Sequence, residues 1–349
     1  MSLTSPLSRS TPFALALASM LAAGCGSDDG EVGPGVDAST GSNGNGNGNG
    51  NGNGNGEPAD ARFSYLHEVT MPRIVGDEPE CCIDFGEISE NPGELDNSVA
   101  HLATLVDLLD IDLQELIDDL LADGSLVLVL EHDDLRGETD DFELAGVFGQ
   151  FSGSTDYDSA RQGDGTFEID PASYDDQGEP LIAFPDASLT SGELRAGPQT
   201  LSLSLPVGDE VLAATVHGAE IFGSATLSDG GVSYDDGGLG GYIELDDLFG
   251  ALNDFLSSES CSCLDELGDD DVFVKSGDDW TGGNCQSSHR CDDGDICATL
   301  AESGTFSICS ALPPLLNSSA DIRTDPDSSG FQALSIGFEF AGVPATVED

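Results

Sequence analysis

Apolar residues between Asn97 and Leu121 recur at helical spacing. Val99, Leu102, Leu105, Val106 and Leu109 form one stripe behind Ser98 as a cap, and Leu113, Leu116, Ile117, Leu120 and Leu121 form a second, with Asp112 and Glu115 as a capping-box-like pair. The pattern predicts a helical hairpin ended by Asp123-Gly124. Beyond it the period shortens. Leu126–Leu130 reads as a buried strand and Phe142-Glu143-Leu144 opens another. Phe167–Ile169, Leu181–Phe184, Ser188–Ala196, Thr200–Leu205, Val211–Val216 and Ala219–Leu227 follow at short intervals, mostly alternating and punctuated by Gly, Asp and Pro. Gly237–Gly241 reads as a β-turn. Helical spacing returns at Leu245, Leu248, Phe249, Leu252, Phe255 and Leu256, and the alternation of Leu334, Ile336, Phe338 and Phe340 predicts a last strand that returns to the main sheet. Closely spaced strands without intervening helices imply a mainly β fold, an antiparallel sandwich or open roll, with a helical hairpin, one further amphipathic helix and a disulfide-rich insertion.

Two segments stand outside this pattern. Residues 1–24 carry Arg9, an apolar run from Phe13 to Ala23, and then Gly24-Cys25; the run is too short for a membrane-spanning helix and reads as a signal peptide. Leu21-Ala22-Ala23-Gly24-Cys25 resembles the lipobox of bacterial lipoproteins, with Ala22 where that family more often has Leu. The resemblance implies that the Cys25 thiol takes a diacylglycerol, that the chain is acylated there and tethered to a membrane, and, with Gly26 rather than Asp after the cysteine, that this membrane is the outer one. Residues 25–61 hold acidic, Gly, Ser and Asn residues, including an Asn-Gly alternation from Asn43 to Gly56. This low-complexity stretch cannot bury enough surface to offset its ordering entropy and reads as a disordered tether. Residues 62–349 then form one β-rich domain with a cysteine-rich insertion at about 260–311; a separate small module there is the other reading.

The chain has nine cysteines, and assigning Cys25 to lipid leaves Cys81, Cys82, Cys261, Cys263, Cys285, Cys291, Cys297 and Cys309. An even remainder in an exported chain suggests disulfides. The expected pairing staples Cys81-Cys82 to Cys261 and Cys263, Cys285 to Cys297 and Cys291 to Cys309. A zinc site on Cys285, His289, Cys291 and Cys297 is the alternative.

Charge narrows the partners. With 67 acidic residues against nine basic ones, the formal net charge is −58, so nucleic acid is repelled and excluded. Salt adaptation, divalent cations or a cationic partner would each account for the acidity. Two acidic loops are candidate calcium sites: Asp321, Asp325, Asp327 and Ser329, in an Asp-x-Asp-x-Ser-Gly run that has Ile336 at the twelfth position, and Asp84 and Asp96, just before the hairpin. No GxSxG elbow, HExxH pair, Walker loop or dinucleotide fingerprint occurs, and His67, His101, His132, His217 and His289 lack metal-ligand spacing and read as structural or exposed.

Cys81-Cys82-Ile83-Asp84, Asp96-Asn97, the Asp321–Gly330 loop and Ser335-Ile336-Gly337-Phe338 together resemble acidic, cysteine-containing secreted lipoproteins of soil and marine predatory bacteria. The likeness covers most of residues 80–349 and implies export without implying an activity. The functional expectation is a non-enzymatic envelope lipoprotein that engages a protein or polysaccharide and holds calcium. An extracellular hydrolase with an acidic cleft and a carrier sheltering a lipid between sheet and helices are the alternatives. An empty apolar tunnel of several hundred Å³ would favour the carrier, and a packed core would remove it.

Overall fold

The computed structural model describes residues 62–348 apart from 73, 76–77, 108–112, 136, 138, 176, 208–209, 229–230, 257–270, 283–307 and 329. Its main sheet contains strands β1 (Arg62–Thr70), β2 (Leu128–Asp133), β3 (Thr139–Phe151), β4 (Ile182–Thr190), β5 (Glu193–Val207), β6 (Glu210–Ser228), β7 (Gly231–Glu244) and β8 (Ala333–Val347). Each pairs antiparallel with the next, and β1 pairs antiparallel with β8, with Phe63 opposite Ala345 and Thr70 opposite Glu339. The last pairing closes an eight-stranded up-and-down barrel. The expectation of a sandwich or open roll is corrected accordingly. Closure leaves the barrel itself without an edge strand, and an eight-strand interior is wide enough to be filled by side chains or to hold one small ligand.

Local chemistry explains where the strand bounds differ from the hydrophobic pattern. Ser188–Ala196 is two strands, because Ser191 (φ 56°) and Gly192 (φ 81°) form a two-residue turn that places Leu189 opposite Leu194. Conversely, Val211–Val216 and Ala219–Leu227 belong to the single strand β6. Buried positions run Ala214, Val216, then Ala219, Ile221, so the alternation slips by one at Gly218, where φ is +57° and the pairing with β5 and β7 shifts register. Gly237–Gly241 is not a turn but the middle of β7. A Cβ at Gly237 would lie 2.3 Å from the Phe340 ring, and one at Gly238 2.4 Å from Phe222, so the missing side chains are where neighbouring rings lie.

Helices α1 (Ser98–Asp107), α2 (Leu113–Asp123), α3 (Leu245–Leu256) and α4 (Ile308–Ser319) complete the described core. The first three match the predicted hairpin and amphipathic helix. The α1 cap is Asn97 rather than Ser98, since the Asn97 Oδ1 accepts the Ala100 N–H at 3.2 Å. Helix α4 was not anticipated, and its Pro313 and Pro314 argue against a helix from sequence alone. Among the described residues no helix is long and apolar enough to cross a membrane.

Barrel alternation separates two environments. Leu66, Leu130, Leu144, Phe184, Leu194, Val216, Ile221, Ile336 and Phe340 form the inner core. Asp186, Glu193, Arg195, Asp235 and Asp236 are exposed on the outside. That polarity is the reverse of a barrel whose outer face meets lipid. A satellite core outside the wall joins Tyr65, Val129, Val147 and Ala345 to Phe167 of a short strand, Thr166–Ile169, that lies between β3 and β8.

Candidate functional site

An apolar cavity of about 220 Å³ lies inside the barrel at the end covered by helices. Strands supply Leu66, Leu201, Val216, Ile221 and Ile336 to its wall, and the helices supply Val99 and Leu102 from α1, Ile117 from α2, Leu248 from α3 and Leu316 from α4. All of the described residues that line it are aliphatic, phenylalanine or glycine. Small residues keep the space open: Gly146, Ala214 and Ala219 stand at wall positions where larger side chains would project into it. A cavity of this size exceeds the roughly 150 Å³ engineered cavity that stays dry and takes benzene, and lies below the roughly 300 Å³ where drug-sized pockets begin. It can therefore hold one hydrocarbon group, with no polar side chain among the described lining residues to orient a charge.

The opposite end of the interior is closed by an aromatic and polar layer. Phe340 lines the cavity and meets Tyr234 edge-on at 5.6 Å between ring centroids. The Tyr234 ring stacks on His132 at 5.9 Å, and His132 stacks on Phe142 at 6.3 Å. His132 is fully buried, its Nδ1 lies 2.9 Å from the Arg62 carbonyl and its Nε2 lies 2.5 Å from the Tyr234 hydroxyl. The carbonyl can only accept, so Nδ1 carries the proton and Nε2 accepts from Tyr234, which defines a neutral tautomer. Burial pushes the His132 pKa down to about 4 and raises that of Tyr234, because neither charged form can be hydrated there. Ser64 completes the layer by donating to the Val232 carbonyl at 2.6 Å. His132 is thus a structural histidine, as its lone position in the sequence suggested.

Of the residues singled out as calcium candidates, Asp84, Asp96 and Asp321 gather elsewhere, on the outer side of β7 and β8. Asn97 Nδ2 donates to the Cys81 carbonyl at 3.1 Å and to the Gly337 carbonyl at 3.0 Å. Ser98 N–H donates to Ser335 Oγ at 2.8 Å, and Ser335 in turn donates through its N–H at 2.9 Å and through its hydroxyl to the Asp321 carboxylate. The Asp96 carboxylate accepts the Phe85 N–H at 2.9 Å and the Ser89 hydroxyl. Backbone bonds from Glu90 to the Asp321 carbonyl (2.8 Å) and from Arg323 to the Ile88 carbonyl (2.7 Å) join the two loops. The Cys81-Cys82-Ile83-Asp84, Asp96-Asn97, Asp321 and Ser335-Ile336-Gly337-Phe338 motifs, distant in sequence, thus form one polar latch.

Burial raises the Asp321 and Asp96 pKa values against the opposing pull of their hydrogen-bond donors, and Asp321 and Asp84 add to the rise at Asp96. Asp84 accepts the Gly86 N–H at 2.7 Å, and the exposed Asp325 accepts the Asp327 N–H at 2.9 Å, closing its own turn. Among the described residues no group of three or more His, Cys, Asp or Glu side chains is placed to hold a metal ion. Ser329 lies outside the described residues. The same is true of Cys25, Cys261, Cys263, Cys285, Cys291 and Cys297, while Cys309 falls on α4. The sulfurs of Cys81 and Cys82 sit against each other, and Cys82 Sγ is 3.6 Å from the Phe338 carbonyl oxygen.

The chain matches no protein-family model, no curated protein and no solved structure.

The cavity was legible only indirectly. Its signal was the small residues Gly146, Ala214 and Ala219 at inward positions of otherwise bulky strands, which mean nothing until the barrel register assigns them to one wall.

Proposed function

We propose that the barrel is a binding module for a small hydrocarbon ligand, carried by a non-enzymatic envelope lipoprotein anchored through Cys25. The observation that supports it is the cavity: an interior of about 220 Å³ bounded by apolar side chains in a chain that otherwise carries an extreme acidic surface. Close packing is the rule for protein interiors, and an open apolar space beneath helices forfeits dispersion contacts that a few larger side chains at Gly146, Ala214 and Ala219 would restore. Transfer of a ligand methylene from water into such a space contributes about 0.8 kcal/mol, which recovers that loss when ligand is bound.

The anchoring half of the proposal rests on Leu21–Cys25 and on the Gly- and Asn-rich residues 25–61, which would hold the barrel near the outer membrane. The membrane then serves as both attachment point and nearest source of hydrocarbon chains. A fluorescence titration with trans-parinaric acid, an unbranched fluorescent chain, tests the binding half. The expected result is saturable enhancement at one site per chain, lost in Ala214→Phe at an unchanged fold. Equal enhancement by the wild type and the filled variant, or none by either, would overturn it.

A further inference from the structure

The dimensions of the cavity say more than that it is apolar. Its lining follows β8 from Leu334 through Ile336 and Phe338 to Phe340. Those six residue steps span about 20 Å of strand, or about 15 Å along the barrel axis at the usual strand tilt. Spread over that height, 220 Å³ is an elongated space rather than a round chamber, a column whose small volume suits one chain better than two. The upper end lies under Leu248 and Leu316 of the helices; the lower end is Phe340, beyond which Tyr234, His132, Phe142, Leu144 and Phe184 fill the interior. The column is blind at that end.

Phe340 is held in place from the neighbouring strand. It pairs with Gly237, and a Cβ there would lie 2.3 Å from the ring, so the ring lies over a backbone cleared for it. From this geometry we infer that the cavity takes a single unbranched hydrocarbon chain, tail first, and that Phe340 resting on Gly237 sets the longest chain it accepts. This inference rests on the binding proposed above and adds the ligand class and its length limit. A two-tailed lipid would enter with one tail at most. A charged headgroup would stay at the helix-covered end, because the column offers it no partner.

The specificity follows from transfer energetics. Each added methylene that enters the column improves affinity by about fourfold, the equivalent of about 0.8 kcal/mol, until the terminal methyl reaches Phe340. Longer chains gain nothing further, since their extra carbons remain in water or must buckle against packed walls.

The test measures dissociation constants for straight-chain primary alcohols from hexanol to hexadecanol by displacement of trans-parinaric acid, an unbranched fluorescent chain, from the full-length chain. Wild type is expected to show a steady gain per carbon that ends at a definite length. In Phe340→Ala the end point should move by about three to four carbons to longer chains, the size of the ring removed. In Gly237→Ala the displaced ring should move it to shorter ones. Phe340→Leu serves as the milder variant if Phe340→Ala melts early, and its end point should lie between wild type and Phe340→Ala. An end point that stays fixed in these variants while they still bind overturns the role of Phe340 and leaves the binding proposal intact. Failure of every alcohol to displace the probe from wild type removes both.

Discussion

Lowering the pH should weaken the barrel through one side chain, His132. Its folded pKa of about 4, against the ordinary 6.5, follows from complete burial with the Nδ1 proton committed to the Arg62 carbonyl and Nε2 to the Tyr234 hydroxyl. Above pH 6.5 neither the folded nor the unfolded chain protonates this imidazole, and its contribution to stability is fully present. As pH falls from 6.5 towards 4 the unfolded chain takes up a proton that the folded chain refuses. Stability is lost throughout that window, and the loss reaches about 3 kcal/mol below it, from about 2.5 pKa units at 1.36 kcal/mol each. Denaturant unfolding of wild type and His132→Gln near pH 7, 5.5 and 4.5 isolates the effect, because every carboxylate titrates in both proteins and cancels in the difference. Wild type should be the more stable at pH 7, with its advantage shrinking by about 2–3 kcal/mol by pH 4.5. A difference that stays constant across this range would refute the buried neutral tautomer.

Other perturbations have definite signs. Asp321 has the opposite linkage: its folded pKa is raised by burial, so folding takes up a proton just above the ordinary aspartate value and its contribution worsens as pH rises through that window. The stability of Asp321→Asn relative to wild type should therefore be more favourable at pH 7 than at pH 4, as read by thermal melts, and the reverse ordering would contradict the raised value. Tyr65 is fully buried and its hydroxyl has no hydrogen-bond partner among the described residues, so Tyr65→Phe should be neutral or stabilise by about 1 kcal/mol in urea unfolding; a loss of that size would show that the hydroxyl is satisfied. Asn97 bridges two carbonyls at 2% exposure, and Asn97→Ala should cost about 2–4 kcal/mol while leaving the pH profile of His132→Gln relative to wild type unchanged.

Period-based reading found what is local. Helix α3 begins and ends at the residues its 3.6-residue stripe marks, and β8 follows the alternation of Leu334, Ile336, Phe338 and Phe340. It missed β1, where Ser64, Tyr65 and Leu66 are all buried, because Tyr65 on the outer side of the wall packs against Phe151 and Phe167 and erases the alternation. Without β1 the β1–β8 pairing could not be anticipated, and that pairing is what makes the sheet a barrel. Gly237–Gly241 misled for a related reason: glycine ordinarily marks a turn, whereas at Gly237 and Gly238 the absent side chains make room for rings on strands that only the fold brings alongside. The polar motifs were legible as a set, since Asp96-Asn97, Asp321 and Ser335 do converge. There the Asp84, Asp96 and Asp321 carboxylates receive hydrogen bonds from backbone and serine donors.

The central claim is that hydrocarbon enters the barrel. An isotope-filtered nuclear Overhauser spectrum of the labelled domain with unlabelled decanol reads it directly. The account calls for cross-peaks from the alkyl chain to the methyl groups of Leu201, Val216 and Ile336, with the terminal methyl nearest the Phe340 ring. Cross-peaks confined to surface methyls, or no transfer to any methyl at saturating decanol, would contradict it.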